Sequence, residues 1–187
     1  MSQSRILGID PGLNTTGYAV IEIADKGPKL IEAGVIQPVE GRSSAELAAR
    51  LKAIYDGVIE VIDQFRPTTL AVEQLYAHYD HPRTAILMAH ARGAVFVAAG
   101  TKGLSVESYA STQVKKAITG SGRASKEQMQ LSMLREFRLA ALPEPNDVAD
   151  AMAIALCHCY HQSSANANRN SPRGVGIRMS ALQEPEA

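Results

Sequence analysis

Four acidic residues hold positions from which their side chains can share one site. Asp10 and Glu73 each end a short apolar run that is typical of a buried strand, and Asp147 and Asp150 lie three residues apart at the start of a predicted helix. Residues at that spacing share one helical face, and neighbouring strands are about 4.8 Å apart. If the strands of Asp10 and Glu73 are neighbours, both side chains reach one metal ion.

Convergence of the four carboxylates would have a chemical consequence. Two carboxylates about 4 Å apart repel by about 4 kcal/mol at an effective dielectric of about 20, so four in one cleft require a cation. Hard oxygen ligands favour Mg²⁺ or Mn²⁺ over zinc. Two such ions about 3.5–4 Å apart activate a water and stabilise the leaving oxygen of a phosphodiester. The four residues therefore predict a divalent-metal site suited to phosphodiester hydrolysis.

Each of these acids also has an ordinary structural explanation. Polar residues at strand ends are commonly turn formers, and Pro11-Gly12 follows Asp10 directly. Acidic residues in the first turn of a helix interact favourably with its dipole, which accounts for Asp147 and Asp150 without any function. The sequence shows that a fold can bring the four together, and it does not show that they meet.

The elements that must position these residues follow from apolar periodicity and turn residues. Apolar or β-rich runs predict strands at residues 6–9, 16–23, 30–36, 69–73 and 104–106. Amphipathic or capped segments predict helices at residues 43–65, 82–99, 112–118, 126–137 and 147–161. Two helices begin with a capping box, Ser43 with Glu46 and Ser125 with Gln128. Three leading strands followed by alternating helices and strands predict an α/β domain with a mixed sheet.

Length and composition predict one domain followed by a tail. The chain has 187 residues, and its 45% hydrophobic content is enough for a substantial core. We place the domain at residues 1–162, because residues 163–187 lack periodicity and predict a disordered tail. No apolar run follows a basic region near Met1, so we expect no signal peptide. No stretch approaches the roughly 20 apolar residues of a membrane span.

The two cysteines, Cys157 and Cys159, bear on compartment and metal binding. Because they lie so close together on a predicted helix, they cannot form a disulfide with each other, which indicates a reduced, cytoplasmic protein. With His158 and His161 they suggest zinc, but structural zinc sites use a C-x₂₋₄-C pair. The spacing argues against zinc here.

The formal net charge is zero, but the charges are unevenly distributed. From Glu22 to Asp80 there are ten acidic and six basic residues, whereas from Arg83 to Arg138 there are nine basic and three acidic residues. A folded domain with this asymmetry can present a basic face to nucleic acid. Unevenly spaced solvated charges are the alternative explanation.

Three motifs in a fixed order connect the chain to a known family. They are Gly8-Ile9-Asp10-Pro11-Gly12, Ala71-Val72-Glu73-Gln74 and Asp147-Val148-Ala149-Asp150-Ala151-Met152-Ala153-Ile154-Ala155. Shorter matches are Thr16-Gly17-Tyr18, Arg50-Leu51, Ala91-Arg92-Gly93, Tyr109-Ala110 and Gln113-Val114-Lys115. From Arg5 to about His161 the sequence resembles the RuvC family of bacterial Holliday-junction resolvases, which are crossover junction endodeoxyribonucleases.

The resemblance implies a fold, an activity and partners. The fold would be ribonuclease-H-like, with a mixed five-stranded sheet flanked by helices. The protein would be a homodimer in which each subunit nicks one of two opposed strands of a four-way DNA junction. The cofactor would be Mg²⁺, two ions per subunit, with Mn²⁺ as a substitute. The expected partner is a branch-migration complex of a junction-binding tetramer and a hexameric motor, and no membrane is expected.

The resemblance also implies roles for individual residues. The catalytic and metal-binding carboxylates of the family fall on Asp10, Glu73, Asp147 and Asp150. Lys115 and Lys126 match lysines near the scissile phosphate. Tyr76 matches an aromatic residue that stacks on a base near the junction centre.

One segment departs from the family pattern. Members tend to carry Asn and then Ser-Ala-Leu-Lys-Leu-Gly-Gln-Ala-Arg-Gly after the glutamate, whereas this chain has Tyr79-Asp80-His81-Pro82-Arg83 followed by Thr84–Gly93. A lysine and a glutamine are absent, and the residues from Asp80 to Arg83 fill a loop expected near the DNA. The family's preference for a short T-rich cleavage site is therefore not carried over to this chain.

Three other functions are compatible with parts of the sequence. A catalytically inactive module would recognise branched DNA by shape, although the presence of all four carboxylates argues against it. An actin-like nucleotide-binding protein also has strand-Asp-x-Gly turns, but it needs two such lobes, and the chain has a single Asp10-Pro11-Gly12 turn. The third is hydrolysis of RNA in RNA–DNA hybrids on the same fold.

Overall fold

A computed structural model describes residues 4–37, 44–75 and 82–170. The strands are β1 (Arg5–Asp10), β2 (Thr16–Ala24), β3 (Gly27–Ile36), β4 (Thr69–Glu73) and β5 (Ser105–Tyr109). The helices are α1 (Ser44–Phe65), α2 (Pro82–Thr101), α3 (Ser111–Thr119), α4 (Lys126–Glu136) and α5 (Asn146–Asn170). All five strands form one sheet in the order β3-β2-β1-β4-β5.

The sheet is mixed, as the sequence predicts. The first three strands form an antiparallel meander, in which β1 pairs with β2 and β2 pairs with β3. On the other side of β1, strands β4 and β5 run parallel to it. The helices between these parallel strands supply the long crossover connections that parallel pairing requires.

Successive side chains of a strand point to opposite faces of the sheet, so the core has two layers, one on each face. Ile6 of β1 faces a layer built with α3, α4 and α5, whereas Leu7 and Ile9 face a layer built with α1 and α2. Both faces of β1 and β4 are covered, so these strands are continuous apolar runs without polar alternation. The strand prediction is exact for β4 and within one residue at each end for β1.

The edge strand β3 begins earlier than predicted. The predicted strand began at residue 30, whereas Gly27 starts the observed strand with a φ of +115° that favours glycine. Pro28 pairs opposite Ile23 within the strand. A proline is tolerated there because β3 is at the edge of the sheet.

The capping predictions have different outcomes. At α4, the Ser125 hydroxyl accepts a hydrogen bond from the Gln128 amide and the Gln128 side chain accepts one from the Ser125 amide, which confirms the capping box. At α1, Ser43 lies outside the described residues.

The last helix is longer than predicted. We expected α5 to end near His161, but it continues through Asn170, so residues 163–170 of the predicted tail are helical. Periodicity did not show this because the sequence from Gln162 to Asn170 contains no large apolar residue. Residues 171–187 lie outside the described residues, and the division into a domain at 1–162 and a tail at 163–187 is otherwise untested.

The prediction that no stretch has the apolar length of a membrane span was wrong for helix α2. Within the described residues, Arg83–Thr101 is one helix long and apolar enough, by length and composition, to cross a membrane. His90 and Arg92 interrupt this segment, so it contains no continuous apolar run of that length. Helices of protein cores share this composition, and one side of α2 is buried against α1 through Ala91, Val95, Ala98 and Ala99.

Candidate active site

The C-terminal ends of β1 and β4 place two carboxylates side by side. The parallel register pairs Ile9 with Val72, so the next residue on each strand is Asp10 and Glu73, respectively. Neighbouring strands are about 4.8 Å apart, and adjacent residues in parallel strands point to the same face. The condition on which the sequence prediction depended, that the two strands are neighbours, is therefore met.

Two glycines let α5 lie directly on the sheet beside Asp10. A Cβ added to Gly8 would lie 2.3 Å from the carbonyl oxygen of Ala151, and one added to Gly17 would lie 2.0 Å from the carbonyl oxygen of Asp147. Gly17 is also the antiparallel register partner of Asp10. The first turns of α5, which carry Asp147 and Asp150, are thereby held against the end of β1.

Asp10 is at the centre of the resulting cluster of charge. Burial and the neighbouring carboxylates of Asp150, Glu73 and Asp147 raise the pKa of Asp10 from 3.8 to about 7, and the Lys126 ammonium partly opposes the shift. A carboxyl group with that pKa is protonated in part at neutral pH unless a cation arrives. The cluster is therefore electrostatically suited to bind a cation.

The other acids share this environment. Burial raises the pKa of Glu73, partly offset by a hydrogen bond from the Ser111 side chain and by Lys115, while Asp150 adds to the increase. Burial also raises the pKa of Asp150, with Asp147 contributing and Lys126 opposing. The pairwise effects among these groups show that all four carboxylates lie in one electrostatic neighbourhood.

Two lysines border this cluster. The charge of Lys126 acts on Asp10 and Asp150, and the charge of Lys115 acts on Glu73 and Asp150. Lys126 is the first residue of α4 and is exposed, whereas Lys115 lies within α3 and is half-buried. The structure brings both lysines to the carboxylates, and their roles toward DNA are proposals.

The carboxylates do not form a preassembled cage. Among residues 4–37, 44–75 and 82–170, no group of three or more His, Cys, Asp or Glu side chains is arranged to hold a metal ion. The donor set nevertheless fits Mg²⁺, since it consists of carboxylate oxygens on rigid strand ends and a helix turn.

Other predicted site residues have different positions. Tyr76 and the atypical residues from Tyr79 to His81 lie outside the described residues. Cys157 and Cys159 are free and buried in the core. His158 shares a 2.7 Å hydrogen bond through Nδ1 with the hydroxyl of Tyr109.

Sequence reasoning missed the contributions of three residues to the site. Ser111, the first residue of α3, donates a hydrogen bond to Glu73 and follows β5, the strand next to β4. Gly8 and Gly17 were taken only as parts of motifs. The available signal was the alanine-rich sequence of α5, which indicates a helix that approaches another backbone closely.

Comparison with known proteins adds independent information. The family model "Crossover junction endodeoxyribonuclease RuvC" matches residues 6–158. The chain is 54% identical over 161 residues to the crossover junction endodeoxyribonuclease RuvC of Rhodopirellula baltica, covering 85% of this chain and 88% of the relative. It is 41% identical over 156 residues to the protein of the same name from Pelotomaculum thermopropionicum, covering 83% and 93%.

The fold matches as well. The structure of Thermus thermophilus RuvC superposes with a TM-score of 0.76 and 34% identity, covering 86% of this chain and 96% of that one. RuvC of the same organism in complex with a Holliday junction substrate gives the same values. The expected ribonuclease-H-like fold is thereby confirmed. Together, the family match, the sequence identities and the shared fold show that this chain belongs to the RuvC family of crossover junction endodeoxyribonucleases.

Proposed function

We propose that the protein resolves Holliday junctions by paired, symmetric nicks in two opposed strands. The observation that carries the proposal is the convergence of the carboxylates of Glu73, Asp147 and Asp150 on that of Asp10. Burial and these three acids raise the pKa of Asp10 to about 7. Membership of the RuvC family supports the substrate, since a relative has been solved with a Holliday junction.

The proposed cofactor is Mg²⁺, two ions per subunit, with Mn²⁺ as a substitute. Asp10, Glu73, Asp147 and Asp150 would hold the ions and thereby become fully ionised. Bound divalent ions activate a water and stabilise the leaving oxygen of a phosphodiester.

The remaining residues bind and orient the DNA. Lys126 is exposed beside Asp10, and Lys115 lies near Glu73. Their ammonium groups would contact phosphates on either side of the carboxylates. Tyr76 would stack on a base near the junction centre, worth about 1–3 kcal/mol.

The proposed assembly is a homodimer formed through α2. Ile86 and Val97 of this helix are 57% and 61% exposed, and Met88 is also exposed. Gly93 lies on the same helix with nothing within 4 Å of an added Cβ, so a second backbone can approach closely. A two-fold dimer supplies two opposed active sites for paired nicks. Sedimentation of Val97→Glu as a monomer beside a dimeric wild type would support this interface, and a monomeric wild type would contradict it.

Two further parts of the proposal concern the cell. The protein would work in the cytoplasm, consistent with two free, buried cysteines. It would act with a branch-migration complex of a junction-binding tetramer and a hexameric motor.

A catalytically inactive junction-binding module is the second candidate. It would recognise branched DNA by shape, and the presence of all four carboxylates argues against it. Measured Mn²⁺ binding separates the two, because an inactive module has no need to bind the ion.

The decisive experiment uses purified protein and a synthetic four-way junction with a mobile core. We expect paired nicks with Mg²⁺ and none without it, and no comparable cleavage of an RNA–DNA hybrid of equal length. Asp10→Asn serves as the matched control that binds without cutting. Cleavage without any divalent ion, or preference for the hybrid, would contradict the proposal.

A further inference from the structure

Arg92 of α2 contacts the strand end that carries Glu73. Its Nε donates a 3.2 Å hydrogen bond to the carbonyl oxygen of Glu73. Its Nη2 donates a 2.9 Å hydrogen bond to the hydroxyl of Ser108 on β5. The guanidinium carbon lies 4.2 Å from the centre of the Phe96 ring. One side chain therefore spans the ends of β4 and β5 and is itself held over an aromatic ring.

The contact acts where β4 ends. Glu73 is the last residue of the strand, and the next ladder contact is the Gln74 amide donating to the carbonyl of Tyr109 at 2.8 Å. The peptide after Glu73 sets the direction in which its side chain leaves the strand, and Arg92 holds the carbonyl of that peptide.

The chemistry of the contact requires arginine. The guanidinium contacts a carbonyl, a hydroxyl and an aromatic ring, and all three are neutral. Only a planar group with several fixed donors binds two acceptors while stacking on a ring, whereas a lysine ammonium is a single point charge. Burial lowers the pKa of Arg92, which shows that the position has a desolvation cost. The cost is offset by geometry and not by a counter-ion among the described residues.

We propose that Arg92 is a positioning residue that aims the Glu73 carboxylate at Asp10 by holding the Glu73 carbonyl. The proposal rests on the proposed function for the role of Glu73 as a metal ligand. Arg92 lies on α2, the same helix that carries the exposed side chains of Ile86 and Val97. Contact with a second subunit and the placement of Glu73 thus depend on one helix.

The test compares Arg92→Lys with two other variants. Arg92→Lys keeps the positive charge but not the double hydrogen bond and the stacking. Arg66→Lys is the matched control, since the Arg66 Nε also donates to a backbone carbonyl, that of Asp63 at 2.8 Å. Arg66 precedes the start of β4, whereas Glu73 is at the other end of that strand. Phe96→Leu removes the ring and keeps both hydrogen bonds. Each variant is assayed for Mn²⁺ affinity by calorimetry without DNA, junction affinity, cleavage rate at saturating junction and melting temperature.

For Arg92→Lys we expect about tenfold or greater weakening of Mn²⁺ affinity and cleavage rate, as for loss of a group that orients a metal ligand. Junction affinity should stay at the wild-type value, Phe96→Leu should have a smaller effect, and Arg66→Lys none. Wild-type Mn²⁺ affinity and cleavage rate in Arg92→Lys would overturn the proposal, as would a change in melting temperature or junction affinity alone. If the wild type binds Mn²⁺ but cuts no junction, the proposed function fails, while the calorimetry still decides the role of Arg92. A wild type that binds no Mn²⁺ would overturn both.

Discussion

The acidic residues at the two ends of β1 have opposite surroundings. At the start of the strand, Arg5 Nε donates to the buried Glu22 carboxylate at 3.0 Å, and Arg5 Nη1 donates to the carbonyl of Phe65 at 2.8 Å. At the other end, Asp10 has other acids as neighbours and a pKa raised to about 7 by burial and by those acids. A paired acid serves the fold, whereas an acid crowded by like charges is retained at a cost in stability and marks a functional site.

The largest expected effect comes from removing the crowded charge. Asp10→Asn should lower the rate of junction cleavage by about 1000-fold or more, equivalent to about 4 kcal/mol, because the residue shared by the whole cluster no longer attracts a cation. Junction binding should persist. Cleavage assays and gel-shift titrations measure the two quantities separately, and a near wild-type rate would show that Asp10 is not catalytic.

The second effect tests how α5 is held beside Asp10. Gly17→Ala would place a Cβ only 2.0 Å from the carbonyl oxygen of Asp147. The first turn of α5 must therefore move. We expect about 2–4 kcal/mol of destabilisation together with loss of cleavage. Gly100→Ala is the matched control, because nothing lies within 4 Å of its added Cβ. Equal denaturation midpoints for the two variants would contradict the packing described here.

The third prediction concerns pH without divalent ions. The pKa of Asp10 is raised on folding from 3.8 to about 7, so the folded state binds more protons between these values and the free energy of unfolding falls as pH rises through them. We expect a loss of about 3–4 kcal/mol between pH 4 and pH 8 from this group. Asp10→Asn should remove that part of the slope in urea titrations. An unchanged slope would mean that Asp10 is not crowded in solution.

The smallest effect belongs to the start of β1. Glu22→Gln removes the charge that Arg5 contacts and should destabilise the fold by about 1–2 kcal/mol, because the Arg5 side chain remains partly exposed to water. Cleavage by the folded variant should stay at the wild-type rate. A selective loss of cleavage without loss of stability would show that the two ends of the strand are not functionally distinct.

The sequence predicted local features of the site better than their assembly. The apolar runs that end in Asp10 and Glu73 are readable because central strands are buried on both faces. The spacing of Asp147 and Asp150 is readable because helical periodicity is local. Neither pattern shows that β4 lies next to β1, since pairing between strands distant in sequence depends on the whole fold.

Other features depended on contacts that no local pattern encodes. The hydrogen bonds of Arg92 to Glu73 and Ser108 join two strands and a helix. Helix α5 continues to Asn170 through residues that include no large apolar side chain, so no periodic pattern predicts its end. Placement of Tyr76 stays a prediction from the family resemblance.

The most direct test of the central claim is anomalous diffraction from a crystal of this protein soaked in Mn²⁺. We predict manganese peaks between the carboxylates of Asp10, Glu73, Asp147 and Asp150, which close around the ions. The same soak of Asp10→Asn should show the peaks reduced or absent. A wild-type crystal with no peak at these residues, or with peaks only elsewhere, would contradict the account.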